Sequence, residues 1–304
     1  MPINCKLLFS VLLLLGLLVI PVFSFEPSGG VLMLDGEDDY AILPLAEHGY
    51  IFPRNTDEFT VEVWFYPKAE TEPEQGESNI ILSQQVRFGL VPNNQCRDKI
   101  SEKDQVCSYG FAFLKGKSTL AFIGIEVPIE KNQWNYMAVI FKDSSFFLAY
   151  NDEILRTSRI NRVNFVAAAL PGPEQFKDFF VGGYAEDRVV FDEDGELLYR
   201  RTHFHGAIDA IRFSNIARYD LPAHHGFWLF DPPERFLNDE HTLALWDFND
   251  KAGADRFEDT SGNGKTLIGM NGATVIDGGG VGNLEIRPDT SLTTTWGQVK
   301  SESF

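Results

Sequence analysis

Cysteine is nearly absent from this 304-residue chain, which has only Cys5, Cys96 and Cys107. No His lies between Cys96 and Cys107 and no Cys or His triad is evident, so a zinc site, which usually takes three or four protein ligands, is the weaker reading. No apolar run reaches the roughly 20 residues of a spanning helix. No Asn-x-Ser/Thr acceptor occurs anywhere, which leans towards a bacterial source. Basic residues are scarce, with 26 Lys and Arg against 44 Asp and Glu and a net charge of −18. That balance argues against nucleic acid and anionic membrane surfaces as partners. No glycine-rich loop precedes a helical pattern, so nucleotide binding has no support, and no Ser/His/Asp arrangement stands out.

One apolar run is present, Leu7–Ile20, broken only by Ser10 and Gly16 and preceded by Lys6. With Val22 and Ser24 before a cleavage point, it reads as a secretory signal peptide over residues 1–24. Its loss removes Lys6 and no acid, leaving 25 basic against 44 acidic residues and a net of −19. The expectation is a secreted or extracellular protein (periplasm or cell surface in a bacterium) with no stable membrane insertion after cleavage. Cys5 leaves with the signal. Cys96 and Cys107 then remain as an isolated pair, which in an exported protein reads as a disulfide. It would close the charged loop between them and contribute about 3 kcal/mol.

The remainder is rich in short strands. Phe59–Tyr66 is the cleanest, with Phe59, Val61, Val63 and Phe65 on one face and Thr60, Glu62, Trp64 and Tyr66 on the other. Asn135–Phe141 and Phe146–Tyr150 flank a polar turn as a hairpin, and Tyr109–Leu114 and Thr119–Ile123 flank another. Pro222–Leu237 reads as a loop rich in Pro and aromatics. Many short strands with regular turns and no long amphipathic helix imply an all-β antiparallel sandwich or barrel.

The organising stretch is His205–Tyr219, HGAIDAIRFSNIARY. Strict alternation puts Asp209 with Ala207, Ile211 and Phe213 on the more apolar face. A carboxylate there needs a partner, because an unpaired buried charge is costly. Hydrogen bonds from backbone amides are one answer, and a structural metal is the other.

Four stretches together resemble a laminin G-like domain of the concanavalin A-like lectin/glucanase superfamily: LDGEDDYAIL (34–43), FTVEVWFYP (59–67), QWNYMAVIF (133–141) and FHGAIDAIRFSNIARY (204–219). LALWDFND and DTSGNG (243–264) resemble a segment that often precedes the LDG strand in relatives but here comes last. The resemblance implies an antiparallel two-sheet jelly-roll sandwich over residues 25–277, with a core at 29–219 and a closing segment at 240–277. A linker and a tail at 278–304 would follow. Such folds bind glycans, proteins or neither, and many hold calcium. The first strand commonly lies beside a late one, which makes Asp35 and Asp39 the expected neighbours of Asp209 in a structural calcium site.

Trp64 with Tyr66 and Trp134 with Tyr136 are candidate sugar-stacking pairs; core packing is the competing role. His203 and His205 share a strand face and lie near His224 and His225 in sequence, but no triad forms a zinc set. Trp296 lies in a polar tail with nothing around it to form a core, and a docking segment is one reading of it. Jelly-roll glucanases place catalytic acids on one strand as Glu-x-Asp-x-Glu. The nearest acidic cluster here, Asp192, Glu193, Asp194 and Glu196, falls on a hairpin turn. The leading expectation is a non-enzymatic recognition module for a glycan or an extracellular protein. A glycoside hydrolase or lyase on the same fold, or a structural adhesion component, are the alternatives. In the exported protein, a non-reduced digest examined by mass spectrometry should contain the Cys96 and Cys107 peptides joined. Two free thiols in that material would refute the pairing.

Overall fold

The computed structural model describes residues 25–27, 29–53, 56–68, 77–79, 81–84, 88–93, 108–115, 119–125, 130–159, 178–183, 188–191, 197–224 and 226–283. The expected signal peptide, Cys96 and Cys107, the acidic turn at 192–196, His225 and Trp296 lie outside them.

Strands are numbered in chain order. The larger sheet contains β1 (Gly30–Asp35), β3 (Phe59–Pro67), β9 (Asn135–Lys142), β10 (Ser145–Tyr150), β11 (Glu153–Arg159), β15 (His205–Ser214), β16 (Gly226–Leu229), β17 (Thr242–Trp246) and β20 (Thr274–Asp277). Its order is β16-β11-β10-β9-β3-β15-β1-β20, with β17 also paired to β15. The second sheet contains β2 (Tyr40–Leu43), β5 (Leu82–Gln84), β6 (Phe88–Asn93), β7 (Ser108–Lys115), β8 (Thr119–Ile125), β12 (Phe179–Val181), β18 (Arg256–Phe257) and β19 (Leu267–Met270). It runs β18-β19-β2-β12-β5-β6-β7-β8. A small third sheet joins β13 (Arg188–Phe191) and β14 (Leu197–Thr202) to β4 (Glu77–Asn79). A single turn of helix at Leu45–His48 follows β2.

The core lies between the two main sheets. Phe59, Val61, Val63 and Phe65 of β3 face it, as the alternation predicts, along with Met137, Val139, Leu148, Phe179, Val181 and Trp246. Trp246 stacks on Phe179 (centroids 5.6 Å, planes 14°) and its Nε1 donates to the Lys265 carbonyl at 2.7 Å. A fully buried aromatic contributes up to about 3 kcal/mol, so this layer supplies most of the driving force.

β1 lies beside the late strand β15, Asp35 opposite His205. The closing segment completes the same sheet: β17 pairs with one half of β15, β1 with the other, and β20 with β1. Asp259 anchors that segment by accepting from the backbone of Leu245, Ser261 and Lys265, each at 3.0 Å. Two expectations need adjustment. Pro222–Leu237 contains a strand, β16. Gly278–Asn283, read as the start of a linker, is a 3₁₀ turn whose Val281 is buried against Val31, Tyr66 and Ala207.

The alternation along β15 also fails at one point. Ile208 pairs with Phe65 and Ala210 with Trp64, so Asp209 is an extra residue, a β-bulge. The bulge puts Ile208, Ile211 and Phe213 in the core and Ala207, Ala210 and Arg212 outside. Asp209 therefore does not share the core face with Ile211 and Phe213. Upstream, Gly206 has φ +152°, and a Cβ there would lie 2.0 Å from the Tyr66 carbonyl oxygen. Gly206→Ala should destabilise the protein by about 3 kcal/mol or more, because both its backbone and β3 must move. Urea unfolding measures this, and a loss below about 1 kcal/mol would mean that β3 yields freely.

Candidate binding surface on the large sheet

All of β3 is buried, on both faces. The outer face of the large sheet is thus covered as well as the inner one, by the segment 217–237 and by Phe25. At its centre Glu62 and Arg212 sit directly opposite one another on β3 and β15. Arg212 Nε donates to Glu62 Oε2 at 2.7 Å, and Nη2 lies 2.7 Å from the same oxygen. Tyr136 Oη donates to Glu62 Oε1 at 2.9 Å, and Tyr219 Oη donates to that oxygen too. Arg212 Nη1 donates to the Leu237 carbonyl at 3.0 Å, and the guanidinium lies 5.0 Å from the Phe236 ring centroid. Burial and the adjacent Glu62 charge raise the Tyr219 hydroxyl beyond the usual phenol range and lift Tyr136 well above it.

A second pair holds the same segment. Arg218 donates to both oxygens of Asp239, at 2.8 and 2.6 Å, and to Ser214 Oγ at 2.5 Å. Those bonds keep the Asp239 carboxyl well below the ordinary carboxylate range.

The predicted sugar-stacking residues lie under this cover. Trp64 is buried, with Nε1 donating to the Pro233 carbonyl at 2.9 Å. Tyr66 and Tyr136 are buried and Trp134 is half-buried. Trp64 and Tyr136 adjoin at 5.3 Å, Tyr66 and Trp134 at 5.5 Å. They form one continuous aromatic layer, closed by the chain itself, and do not make an open platform.

The predicted calcium ligands are not brought together. Asp35 and Asp39 do meet, with Asp38, within 4.8 Å of one another. Asp35 Oδ1 already accepts from the backbone of Glu37, Asp38 and Asp39. Burial and the Asp35 charge raise Asp39 to about 6. Asp209 lies four residues along β15 from His205, the partner of Asp35, or about 13 Å at strand spacing. Its charged neighbours are instead Asp247, just beyond β17, and Arg235 of the covering segment; burial first and Asp247 second push its carboxyl up to about 7. His203 is buried beside Tyr40 (centroids 6.2 Å).

One surface escaped the sequence reading. β16 closes one end of the large sheet and carries Phe227, Trp228 and Leu229 at 59%, 45% and 91% exposure. Large apolar side chains adjacent along an edge strand are unusual, because edges invite pairing and aggregation. This strand is firmly held. Its registry with β11 runs Phe227 to Leu155 and Trp228 to Ile154. Phe230 next to it donates its N–H to the Asp152 carbonyl at 2.7 Å and stacks on Tyr136 at 5.5 Å, edge-on to Tyr219 at 5.0 Å. The buried network therefore sets the position of the exposed aromatics. The signal in the sequence was GFWLF itself, four large apolar residues within a stretch otherwise read as a loop.

No protein-family model matches the chain, and no curated protein matches it in sequence. Similarity appears among solved structures. The chain is similar to a protein of Bacteroides ovatus ATCC 8483 described as a putative carbohydrate binding protein, with TM-score 0.50 and 15% identity, over 84% of this chain and 60% of that one. It is also similar to the CBM40 of Ruminococcus gnavus IT-sialidase, bound to α2,3-sialyllactose (TM-score 0.40, 13% identity, 65% of this chain and 95% of that one). A further likeness is to domains LG4-5 of the mouse laminin α1 chain (TM-score 0.36, 11% identity, 69% and 49%). The chain thus spans about 60% of the length of the Bacteroides protein. At these identities the likeness is one of fold, and the fold is an all-β, antiparallel two-sheet jelly-roll sandwich.

Asp209 yields a pH prediction. Its folded-state pKa, about 7, stands above the ordinary 3.8, so between about pH 4 and pH 7 the folded chain keeps a proton that the unfolded chain releases. Its stabilising contribution is complete below about pH 4 and is lost as the pH rises through about 7. Asp39 acts with the same sign up to about 6. The wild-type Tm should therefore fall across this range through these two groups, and Asp209→Asn should flatten the decline, leaving the part due to Asp39. Parallel profiles for the two proteins would show that Asp209 titrates normally.

Proposed function

We propose that this chain is a secreted, non-enzymatic recognition module of laminin G-like type that binds a neutral glycan at the exposed aromatic strand β16. The observation that carries this reading is the pair Phe227 and Trp228, exposed at the sheet edge and held there by Phe230 packing on Tyr136 and Tyr219. Aromatic faces turned to solvent suit the C–H faces of a pyranose, and a rigid strand loses little conformational freedom on binding. A net charge of −18 disfavours sialylated or sulfated ligands through repulsion. The likeness in fold to the Bacteroides protein described as a putative carbohydrate binding protein supports the class of ligand. An extracellular protein docking on the same strand is the competing occupant. Asp35, Asp38 and Asp39 are the carboxylates that would hold a calcium ion.

A specific observation favours one other reading, a glycoside hydrolase or lyase. Burial and the charge of Asp247 push the Asp209 carboxyl up to about 7, and an acid raised beside a second carboxylate is the arrangement glycosidases use.

A glycan array probed with the exported protein, with calcium and with chelator, separates these outcomes. The recognition reading expects binding to neutral glycans and about a tenfold or greater loss in Trp228→Ala with an unchanged Tm. Dependence on calcium that disappears in Asp39→Asn would assign the ion to the acidic turn. Release of reducing or unsaturated sugar that Asp209→Asn abolishes would establish the enzyme instead. Binding that Trp228→Ala leaves intact would remove β16 from the site.

A further inference from the structure

Phe25 lies flat on Trp64, with ring centroids 3.9 Å apart and planes 9° apart. The same ring meets Trp134 edge-on at 5.5 Å and 70°. Trp134 in turn stands edge-on to Tyr66. A single phenyl ring therefore fills a slot with an indole floor and an indole wall. The slot is rigid. Trp64 is fixed by its bond to the Pro233 carbonyl and backed by Tyr136, and Tyr66 belongs to a strand paired on both sides.

The occupant is held differently. Residues 25–27 form no strand or helix. Among the described residues, the backbone ties of this segment begin at Gly29, whose carbonyl accepts from Gly278 at 2.9 Å, and at Gly30, whose N–H donates to Asn249 Oδ1 at 3.1 Å. Before Gly29, the described contacts that hold the segment are the Phe25 ring contacts and the Pro27 ring beside Gly278, with no charged bond among them.

The border of the slot is polar. Trp64 is paired across the sheet with Ala210 and Tyr66 with Ala207, so the bulged residue Asp209 stands between them on the adjacent strand. Among the described residues its carboxylate accepts no hydrogen bond, and its charged neighbours are Asp247 and Arg235. A carboxyl beside the Trp64 indole, with a guanidinium as its charged neighbour, matches the hydroxyl rim and C–H faces of a pyranose. A hydrocarbon ring would leave those polar groups unanswered.

We propose that the slot between Trp64 and Trp134 is a sugar-ring subsite whose built-in occupant is Phe25, and that a pyranoside gains entry by displacing that ring. It shares with the edge-strand reading only the class of ligand. The two fail separately, because Trp228→Ala silences the edge without touching the slot.

The test uses the full chain carrying Trp228→Ala, with and without Phe25→Ala. Each is titrated calorimetrically with the methyl pyranosides of glucose, galactose, mannose and N-acetylglucosamine, and with N-acetylphenylalanine amide. Removing the competing ring should tighten at least one pyranoside about tenfold, the worth of one aromatic stack returned as a larger open fraction. Asp209→Asn in the same background should cancel that gain. A folded Phe25→Ala protein with no gain for any pyranoside overturns the proposal, as does a gain for the phenylalanine amide alone. Should Phe25→Ala fail to fold, the chain with native Phe25 still decides. A pyranoside that frees the segment should accelerate cleavage after Glu26 by a glutamyl endopeptidase, and an unchanged rate at the highest soluble sugar concentration overturns the proposal.

Discussion

The outer half of this molecule depends on one buried ion pair, Glu62 with Arg212. Taking both charges out of water costs several kcal/mol each, and their attraction repays it only where every remaining valence is satisfied. Here the valences are filled by the covering segment: Tyr219 and the Leu237 carbonyl come from it, and Tyr136 from the sheet. The pair cannot stay buried without the segment, and the segment takes from it a charged anchor beside those of Arg218 and the Pro233 carbonyl. Specificity of docking, more than net stability, is what such an arrangement supplies. An apolar patch in its place would bind a Pro- and aromatic-rich segment in many registers, whereas a guanidinium and a carboxylate accept few.

Two consequences propagate from that docking. Phe230 is seated on Tyr136 and Tyr219, which fixes β16 against β11 and turns Phe227 and Trp228 to solvent. Pro233 is seated over Trp64, whose indole N–H it satisfies, and this sets the plane on which Phe25 lies. Exposed and covered aromatics are thus positioned by the same network.

The inner architecture was legible in the sequence because it follows period two. Phe59, Val61, Val63 and Phe65 alternate without interruption, and the hairpin of β9 and β10 turns through polar residues where it should. The reading failed where one residue breaks the count. A single extra residue shifts the phase between the two halves of a strand, so Ala207 and Asp209 were placed on the core face and Ile208 off it, although Ile211 and Phe213 were placed correctly. Nothing in HGAIDAIRF marks the bulge, since Ile208 and Ala210 are both apolar and fit either face. The outer face was misread for a different reason. Trp64, Tyr66 and Tyr136 alternate as a solvent-facing or ligand-facing set would, and Trp64 is buried by Phe25 and by the return of a segment more than 150 residues later in sequence. The acidic turn could be read because Asp35 and Asp39 are local to one another; their separation from Asp209 depends on register between β1 and β15, which sequence spacing does not carry.

A jelly roll usually keeps one solvated face free, and antiparallel sheets tolerate that because their side chains alternate. This chain has covered that face with its own residues, so the proposed ligand has two ways in. It can use what the cover leaves outside, which is the edge strand β16 with its exposed aromatics. Or it can replace part of the cover, and the part least firmly attached is the one without an ion pair. Residues 217–239 are pinned by Glu62, Arg212 and Asp239, whereas Phe25 rests on ring contacts alone among the described residues. Charged bonds lock one cover and dispersion holds the other, and that difference in attachment is why the proposed entry is at the Phe25 slot and not on the Tyr219 side.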